Sequence, residues 1–170
     1  MLKGKNILLR PLELQDVENI YQWENNPENW LVSSTTTPFS RFFLEQFVLN
    51  SQNNIYVDLQ LRLAIEDATG KLVGVIDLFD FDALNRRAGV GILIESKMRK
   101  QGYAAQALDV ISDYARNILN MHQLYCSIGS DNEISLKLFE KSGFNVTGKR
   151  HEWIWRPEEW LDEYFLQKIL

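Results

Sequence analysis

One cysteine, Cys126, is present among 170 residues. No intrachain disulfide can form, and the even cysteine pattern of small secreted domains is absent. Basic charge is also short, with a formal net charge of −5. A general nucleic-acid binder or a binder of anionic membranes is therefore excluded, because phosphate affinity needs a basic surface. A cationic small molecule or peptide remains a compatible partner. No apolar run approaches the ~20 residues of a membrane span. The opening Met1-Leu2-Lys3-Gly4-Lys5-Asn6 lacks the apolar core of a signal peptide and leads into a strand-like run, so a cytoplasmic protein is expected. There is no internal repeat, low-complexity tract or linker.

What is there is the balance of an ordinary globular protein: 45% hydrophobic and 24% charged residues. The length favours one domain, residues 1–170, with a sizeable core. Ile7-Leu8-Leu9-Arg10 reads as a first strand ended by Pro11. Leu14, Val17, Ile20 and Tyr21 repeat at helical spacing, so a helix runs to about Asn25, where Asn25-Asn26-Pro27 breaks it. A second helix starts near Ser40, with Phe43, Phe47 and Val48 facing inward. Leu59, Leu61, Leu63 and Ile65 alternate as a half-buried strand, Asp67 to Gly70 turns, and Leu72 to Phe81 completes a hairpin. A third strand, Ala88 to Ile94, follows the turn Asn85-Arg86-Arg87. A helix from about Tyr103 to Leu119 carries Ala104, Ala107, Leu108, Ile111, Ala115 and Ile118 on one face. Leu124, Cys126 and Ile128 alternate as the next strand. Asp131-Asn132-Glu133 opens a short helix stopped by Gly143, and two strands follow, at about 145–155 and 161–170. The order β-α-α-β-β-β-α-β-α-β-β is an α/β (α+β) layout. It implies one mixed, mostly antiparallel sheet of about seven strands, flanked by about four helices.

The segment Glu95 to Ala104 bears the chemistry. It joins an apolar strand to an amphipathic helix. Helix N-termini present unpaired N–H groups and partial positive charge, a natural seat for pyrophosphate. Arg99 and Lys100 add charge, and Gly102 lets backbone approach closely. A Walker A loop is absent, because no glycine here precedes Lys-Ser or Lys-Thr. A dinucleotide fingerprint is absent too, because Gly89-Val90-Gly91 lies inside a strand and no third glycine opens a helix. The competing reading is a solvated basic turn that only caps a helix.

Arg99-x-x-Gly102-x-Ala104, followed by Leu124 to Ile128, Asn132-Glu133-Ile134-Ser135 and Leu138-Phe139-Glu140-Lys141-Ser142-Gly143-Phe144, resembles the GNAT superfamily of acyl-CoA-dependent N-acetyltransferases. The likeness is to its branch of ribosomal-protein N-terminal and spermidine N-acetyltransferases. Asn85-Arg86-Arg87-Ala88 and His151-Glu152-Trp153 also look like the spermidine enzymes. The resemblance covers nearly the whole chain and implies the GNAT fold. It implies that Arg99, Lys100, Gln101, Gly102, Tyr103 and Ala104 bind the pyrophosphate of coenzyme A. Lys100 stands where relatives often have glycine. The backbone of Ile92, Leu93 and Ile94 is implied to bind pantetheine. Asn132 is implied to contact the cofactor, and a helix-cap role fits it as well.

The implied function is acetyl transfer from acetyl-CoA to a primary amine, of a polyamine-like cation or a protein N-terminus, by direct attack in a ternary complex. No metal is implied. A lysine-like amine, with a pKa of ~10.4, must first lose a proton. Many relatives place a tyrosine, as general acid, where this chain has Phe139. Spermidine enzymes carry a glutamate where this chain has Gly89. The catalytic candidates left are Glu152 and His151, on the strand bordering the acceptor side, of which alternation lets one face inward. Asp77, Asp80 and Asp82 are further candidates, with solvated carboxylates as the competing reading. His122 reads as surface and Cys126 as an inert buried thiol.

All five tryptophans lie outside the cofactor segments, and the resemblance places their segments at the acceptor pocket. Trp23, Trp30, Trp153 and Trp155, interleaved with Glu24, Glu28, Glu152, Glu158, Glu159, Asp162 and Glu163, favour a cationic acceptor, at ~0.5–2 kcal/mol per cation–π contact. The competing reading is tryptophan packing beside solvated carboxylates. Ser33 to Thr37 occupies a loop where spermidine enzymes tend to be acidic. Two alternatives remain open: a catalytically weak acyl-CoA-binding sensor or regulatory module, and a nucleotide-binding protein. A homo-oligomer is compatible with either.

Overall fold

Period-two and period-3.6 apolar stretches alternate along this chain, and each builds the element its period demands. The computed structural model describes residues 1–33, 37–51 and 54–170. Among them are eight strands: β1 (Leu2–Lys3), β2 (Ile7–Pro11), β3 (Leu61–Asp67), β4 (Leu72–Asp82), β5 (Arg87–Ile94), β6 (Gln123–Gly129), β7 (Asn145–Arg156) and β8 (Glu159–Ile169). Six α-helices accompany them: α1 (Val17–Glu24), α2 (Pro27–Ser33), α3 (Arg41–Asn50), α4 (Ile55–Asp58), α5 (Tyr103–Asn117) and α6 (Glu133–Lys141). Single 3₁₀ turns lie at Leu14–Asp16 and Ser96–Met98.

The strands form one sheet in the order β1-β2-β3-β4-β5-β6-β8-β7. Every neighbouring pair is antiparallel except β5 with β6. The mixed, mostly antiparallel sheet is as expected, with one strand and two helices more. Strand β1 is two residues long, too short for any period to reveal. Pro27, expected only to break a helix, also begins α2, since proline suits the first helical turn. The single turn α4 is capped by Asn54, whose side chain accepts from the Tyr56 N–H at 3.1 Å.

Three apolar positions depart from expectation. Leu59 is not in β3; it ends α4 at φ 52 and is exposed. Phe43 is exposed, and Leu44 is the buried residue of α3. Ile118 is exposed past the end of α5, while Leu119 turns inward. A helix of 15 residues drifts off a fixed stripe at its end, so the last apolar position need not face the sheet.

Helix α5 lays Ala107, Leu108, Ile111 and Ala115 on one face of the sheet, against a cluster that includes Ile76, Val90, Leu124 and Leu166. Each fully buried Leu or Ile there contributes about 1.5–3 kcal/mol. The other face carries a smaller cluster, with Val17, Ile20 and Trp23 of α1 and Leu44 of α3 packed on Ala64, Leu72 and Val75. Two arginines pin this second layer. Arg10 holds Asp16 at 2.7 Å and Glu66 at 2.6 Å. Arg62 holds Glu24 at 2.8 Å and Asp77 at 2.6 Å.

Candidate active site

The parallel pair β5–β6 sets the geometry. Only Arg87↔Gln123, Ala88↔Leu124 and Gly89↔Tyr125 are paired. Beyond Gly89, β5 continues to Ile94 beside β4, while β6 stays with β8 up to Gly129. The two strands therefore part in a fork. The Glu95 N–H donates to the Val73 carbonyl. Counting back by twos, Leu93 and Gly91 also turn their backbone groups to β4, whereas Ile92 and Ile94 turn theirs to the fork. Of the three residues expected to offer backbone, Leu93 is thus committed to the ladder with Val75, and its side chain packs on the smaller cluster. Ile92 and Ile94 face the opening, and the Ile94 carbonyl accepts from Arg99 Nε at 3.1 Å.

Past Ile94 the chain makes the 3₁₀ turn and enters α5. Lys100 has φ 63 and Gly102 φ 81, both left-handed. That is the conformation glycine adopts without cost, and a side chain costs about 1–2 kcal/mol there. Helices α3, α4 and α6 are capped by the side chains of Ser40, Asn54 and Asn132. The longest helix, α5, starts instead at Gly102, with no side-chain cap. Its first-turn N–H groups are left for something other than a side chain. Arg99, Lys100, Gln101, Gly102, Tyr103 and Ala104 thus come together at the mouth of the fork. Tyr103 and Ala104 are partly buried against the larger core.

Asn132 begins α6 at the end of β6, and its side chain accepts from the Ser135 N–H at 3.1 Å. It is a helix cap, placed at the same end of the parallel strands as the α5 turn. Phe139 is 4% exposed and meets Phe144 edge-on, ring centres 5.0 Å apart. It is a core ring without a transferable proton.

His151 and Glu152 are together, but not as alternation predicts. Arg150 pairs with Glu163 and Ile154 with Leu161, so residues 151–153 lie opposite Asp162 alone. In this bulge Glu152 takes φ 48, and both side chains are exposed. The Glu152 N–H donates to Asp162 Oδ1 at 3.0 Å, and His151 Nδ1 lies 3.6 Å from the same oxygen. The Lys149 ammonium, first, and the Glu152 N–H hold the Asp162 carboxyl below its ordinary value. The Asp162 carbonyl accepts from Ser130 N–H, so the bulge sits at the end of β6 where the fork opens. Asp77 is committed to Arg62, and Asp82 to Asn85 and Arg87. Asp80, at φ 47 in a bulge of β4 opposite Ala88, accepts from Tyr125 Oη at 3.5 Å. His122 is exposed. Burial pushes the Cys126 thiol up to about 12, which makes it inert.

The tryptophans do not form one wall. Trp23 is 8% exposed within the smaller core, so it is a packing residue. Trp30 is half-buried, its indole N–H given to the Glu24 carbonyl. Trp153 and Trp155 are 58% and 62% exposed on β7. The Arg150 guanidinium already lies 5.1 Å from the Trp153 ring centre. Ser34, Thr35 and Thr36 of the loop at 33–37 lie outside the described residues. Arg86 has a structural duty: it bonds the Asn120 carbonyl and side chain, each at 2.6 Å, and ties the β4–β5 turn to the start of β6.

Sequence reasoning missed a row of rings on the sheet face away from α5. Phe79 stands edge-on to Tyr125 at 6.3 Å, and Tyr125 lies tilted on Phe165 at 5.5 Å. An open depression of about 400 Å³ begins at Tyr125 and Phe165, lined also by Asp80, Asp82, Arg87, Gln123 and Gln167. The available signal was Gly89 with Gly91, since glycine inside a strand marks close approach by another group.

A fork between parallel strands, leading to an uncapped helix N-terminus with basic residues, can seat an extended ligand that carries phosphates at one end. Residues 6–145 match the acetyltransferase (GNAT) domain family, and the chain belongs to it. The spermidine N(1)-acetyltransferase of Escherichia coli K12 is 28% identical over 152 residues, spanning 88% of this chain and 78% of that protein. The crystal structure of spermidine N-acetyltransferase from Vibrio cholerae in complex with CoA and spermine superposes with a TM-score of 0.87. It is 24% identical and covers 98% of this chain and 96% of that one. A dodecameric structure of the same Vibrio enzyme in an intermediate state superposes at 0.81, with 25% identity over 98% and 95% of the two chains. The protein is an N-acetyltransferase whose acyl donor is acetyl-CoA and whose acceptor is an amine. The leading expectation from sequence, an acetyl-CoA-dependent N-acetyltransferase, holds. Among the described residues no helix is long and apolar enough to cross a membrane.

Proposed function

We propose that residues 1–170 act as one catalytic domain that acetylates a primary amine of a polyamine-like cation in the cytoplasm. The observation that supports it most is the fork ending at the uncapped α5 N-terminus, joined to relatives named for spermidine and a neighbour bound to spermine. The α5 turn receives the pyrophosphate on its free N–H groups, with Arg99 and Lys100 adding charge. Pantetheine lies along the fork-facing backbone of Ile92 and Ile94. Asn132 borders it while capping α6.

The acceptor nitrogen attacks the thioester carbonyl. The C–N bond forms, the C–S bond breaks, and the amine's proton leaves while the thiolate gains one. An N–H facing the fork, such as that of Ile92, is placed to hold the oxyanion. A thiol of pKa ~8.5 is a fair leaving group without an acid, which fits Phe139. His151 and Glu152, exposed on the β7 bulge, accept the amine's proton through water. Trp153, Trp155 and the exposed Trp160 of the β7–β8 hairpin also support self-association of this chain, as one relative is described as dodecameric.

Thiol release from acetyl-CoA across an amine panel tests the acceptor reading. Polyamines should give the highest kcat/KM. Faster turnover of neutral or acidic amines would overturn it. Light scattering during gel filtration tests the assembly: a monomer at all concentrations would refute it.

A further inference from the structure

The glycines of Gly89-Val90-Gly91 and the ring of Phe79 are complementary. A Cβ built on Gly89 would lie 2.3, 2.6 and 2.7 Å from Cε2, Cζ and Cδ2 of Phe79. One built on Gly91 would meet Phe79 Cε1 at 3.6 Å. The ring thus lies over both glycines, and any side chain at position 89 would have to displace it. Gly89 is the last β5 residue paired with β6. Gly91 in turn adjoins Ile92, whose backbone faces the fork. Phe79 therefore covers the closed end of the fork and, through Gly91, borders the Ile92 N–H placed above to hold the oxyanion.

We propose that Phe79 is a specificity-determining residue: with Tyr125 it forms an aromatic shelf that receives the alkylammonium acceptor beside the closed end of the fork. This rests on the acetyltransferase reading above and adds the chemistry that selects the acceptor. The ring fills the space of a side chain at 89, so no charged group can stand there. What meets the acceptor is a π-face and a ring edge, with Asp80 and the open depression beyond Tyr125. Such a surface takes a methylene chain by apolar contact and its ammonium by cation–π attraction. Phe165 already faces the Arg150 guanidinium, 5.8 Å from its ring centre, so Phe79 and Tyr125 are the rings open to a substrate. A β-bulge immediately after Phe79 re-aims the end of β4 and keeps Asp80 at the rim.

The test compares wild type, Phe79→Leu and Phe79→Ala. Calorimetric titration with CoA reports the donor site, and thiol release reports acceptor KM and kcat. Loss of one cation–π contact should raise KM for linear alkyl diamines by about 3- to 30-fold in both variants. KM for a neutral-bodied amine such as 2-methoxyethylamine should shift much less in Phe79→Leu, which keeps apolar volume. CoA affinity should stay within about threefold. If wild type turns over amines but Phe79→Leu leaves the diamine KM unchanged, the shelf is refuted. A diamine KM that rises no more than that of the neutral-bodied amine refutes it as well. If wild type binds CoA and acetylates no amine, the acetyltransferase reading fails instead, and the two failures are distinguishable.

Discussion

Gly102→Ala separates a ligand effect from a folding effect. At φ 81, an alanine pays the left-handed penalty of about 1–2 kcal/mol. Reduced freedom of the unfolded chain offsets up to ~1 kcal/mol of that. The net loss should be about 1 kcal/mol, a fall in Tm of about 2–4 °C for a chain of this size. No clash adds to it, because the nearest atom to the new Cβ is Gln106 Nε2 at 3.9 Å. The protein therefore folds, and space at the turn is lost only to whatever binds there. A pyrophosphate on the α5 N–H groups would meet the added methyl, so CoA Kd should rise at least about tenfold, or ~1.4 kcal/mol. Gly70→Ala is the matched control. It has φ 86 and a nearest atom, Glu66 Oε1, at 3.8 Å, but it sits in the β3–β4 turn away from the fork. Calorimetric titration with CoA and a thermal melt on both variants decide the matter. Equal Kd values for the two, alongside equal Tm losses, would refute the pyrophosphate placement.

Other expectations follow from burial and charge. Asp16→Ala strips Arg10 of its bidentate partner and the Glu13 N–H of its acceptor, and should cost about 3–5 kcal/mol in urea unfolding; a loss under about 1 kcal/mol would contradict the ion-pair account. Trp23→Ala should cost about 3–5 kcal/mol as a core truncation, while Trp155→Ala should stay within about 0.5 kcal/mol, so equal losses would disprove their separate placement. Cys126 should resist a thiol-specific reagent at pH 8 in the native protein and react once unfolded. Its folded pKa is raised from 9.0 to about 12, so the stabilisation it brings is whole below pH 9 and is lost as pH climbs towards 12. Cys126→Ala should therefore lose less stability than wild type between pH 9 and 10.5.

The sheet and the α5 turn were legible in the sequence because both rest on local signals. Alternation marked β3 and β6, the run after the Asp67–Gly70 turn marked β4, and the α5 stripe marked the larger core. Leu59 and Phe43 misled because each is an apolar residue on the period of a neighbour, beside an end where the backbone turns away. The catalytic candidates were less legible. Strand alternation predicted one inward residue of His151 and Glu152, but a bulge leaves both outside, and nothing in Arg150 to Ile154 announces it. Tryptophans at 23 and 155 look alike in a sequence, yet one is core and the other surface, because only tertiary packing distinguishes them. Phe79 read as a strand residue; its meeting with Gly89 is a cross-strand relation that one-dimensional spacing does not encode.

The parting of β5 from β6 leaves the sheet unfinished in its middle rather than only at its edges. Ile92 holds an amide proton toward an opening that no strand closes. An amide of that kind exchanges with solvent deuterium quickly, even though its neighbours Leu93 and Gly91 are locked against β4. Once an extended thioester chain lies beside it, that proton gains an acceptor and the sheet gains the equivalent of one more strand. Deuterium uptake at Ile92 thus becomes a clock for donor occupancy, readable before any amine is present.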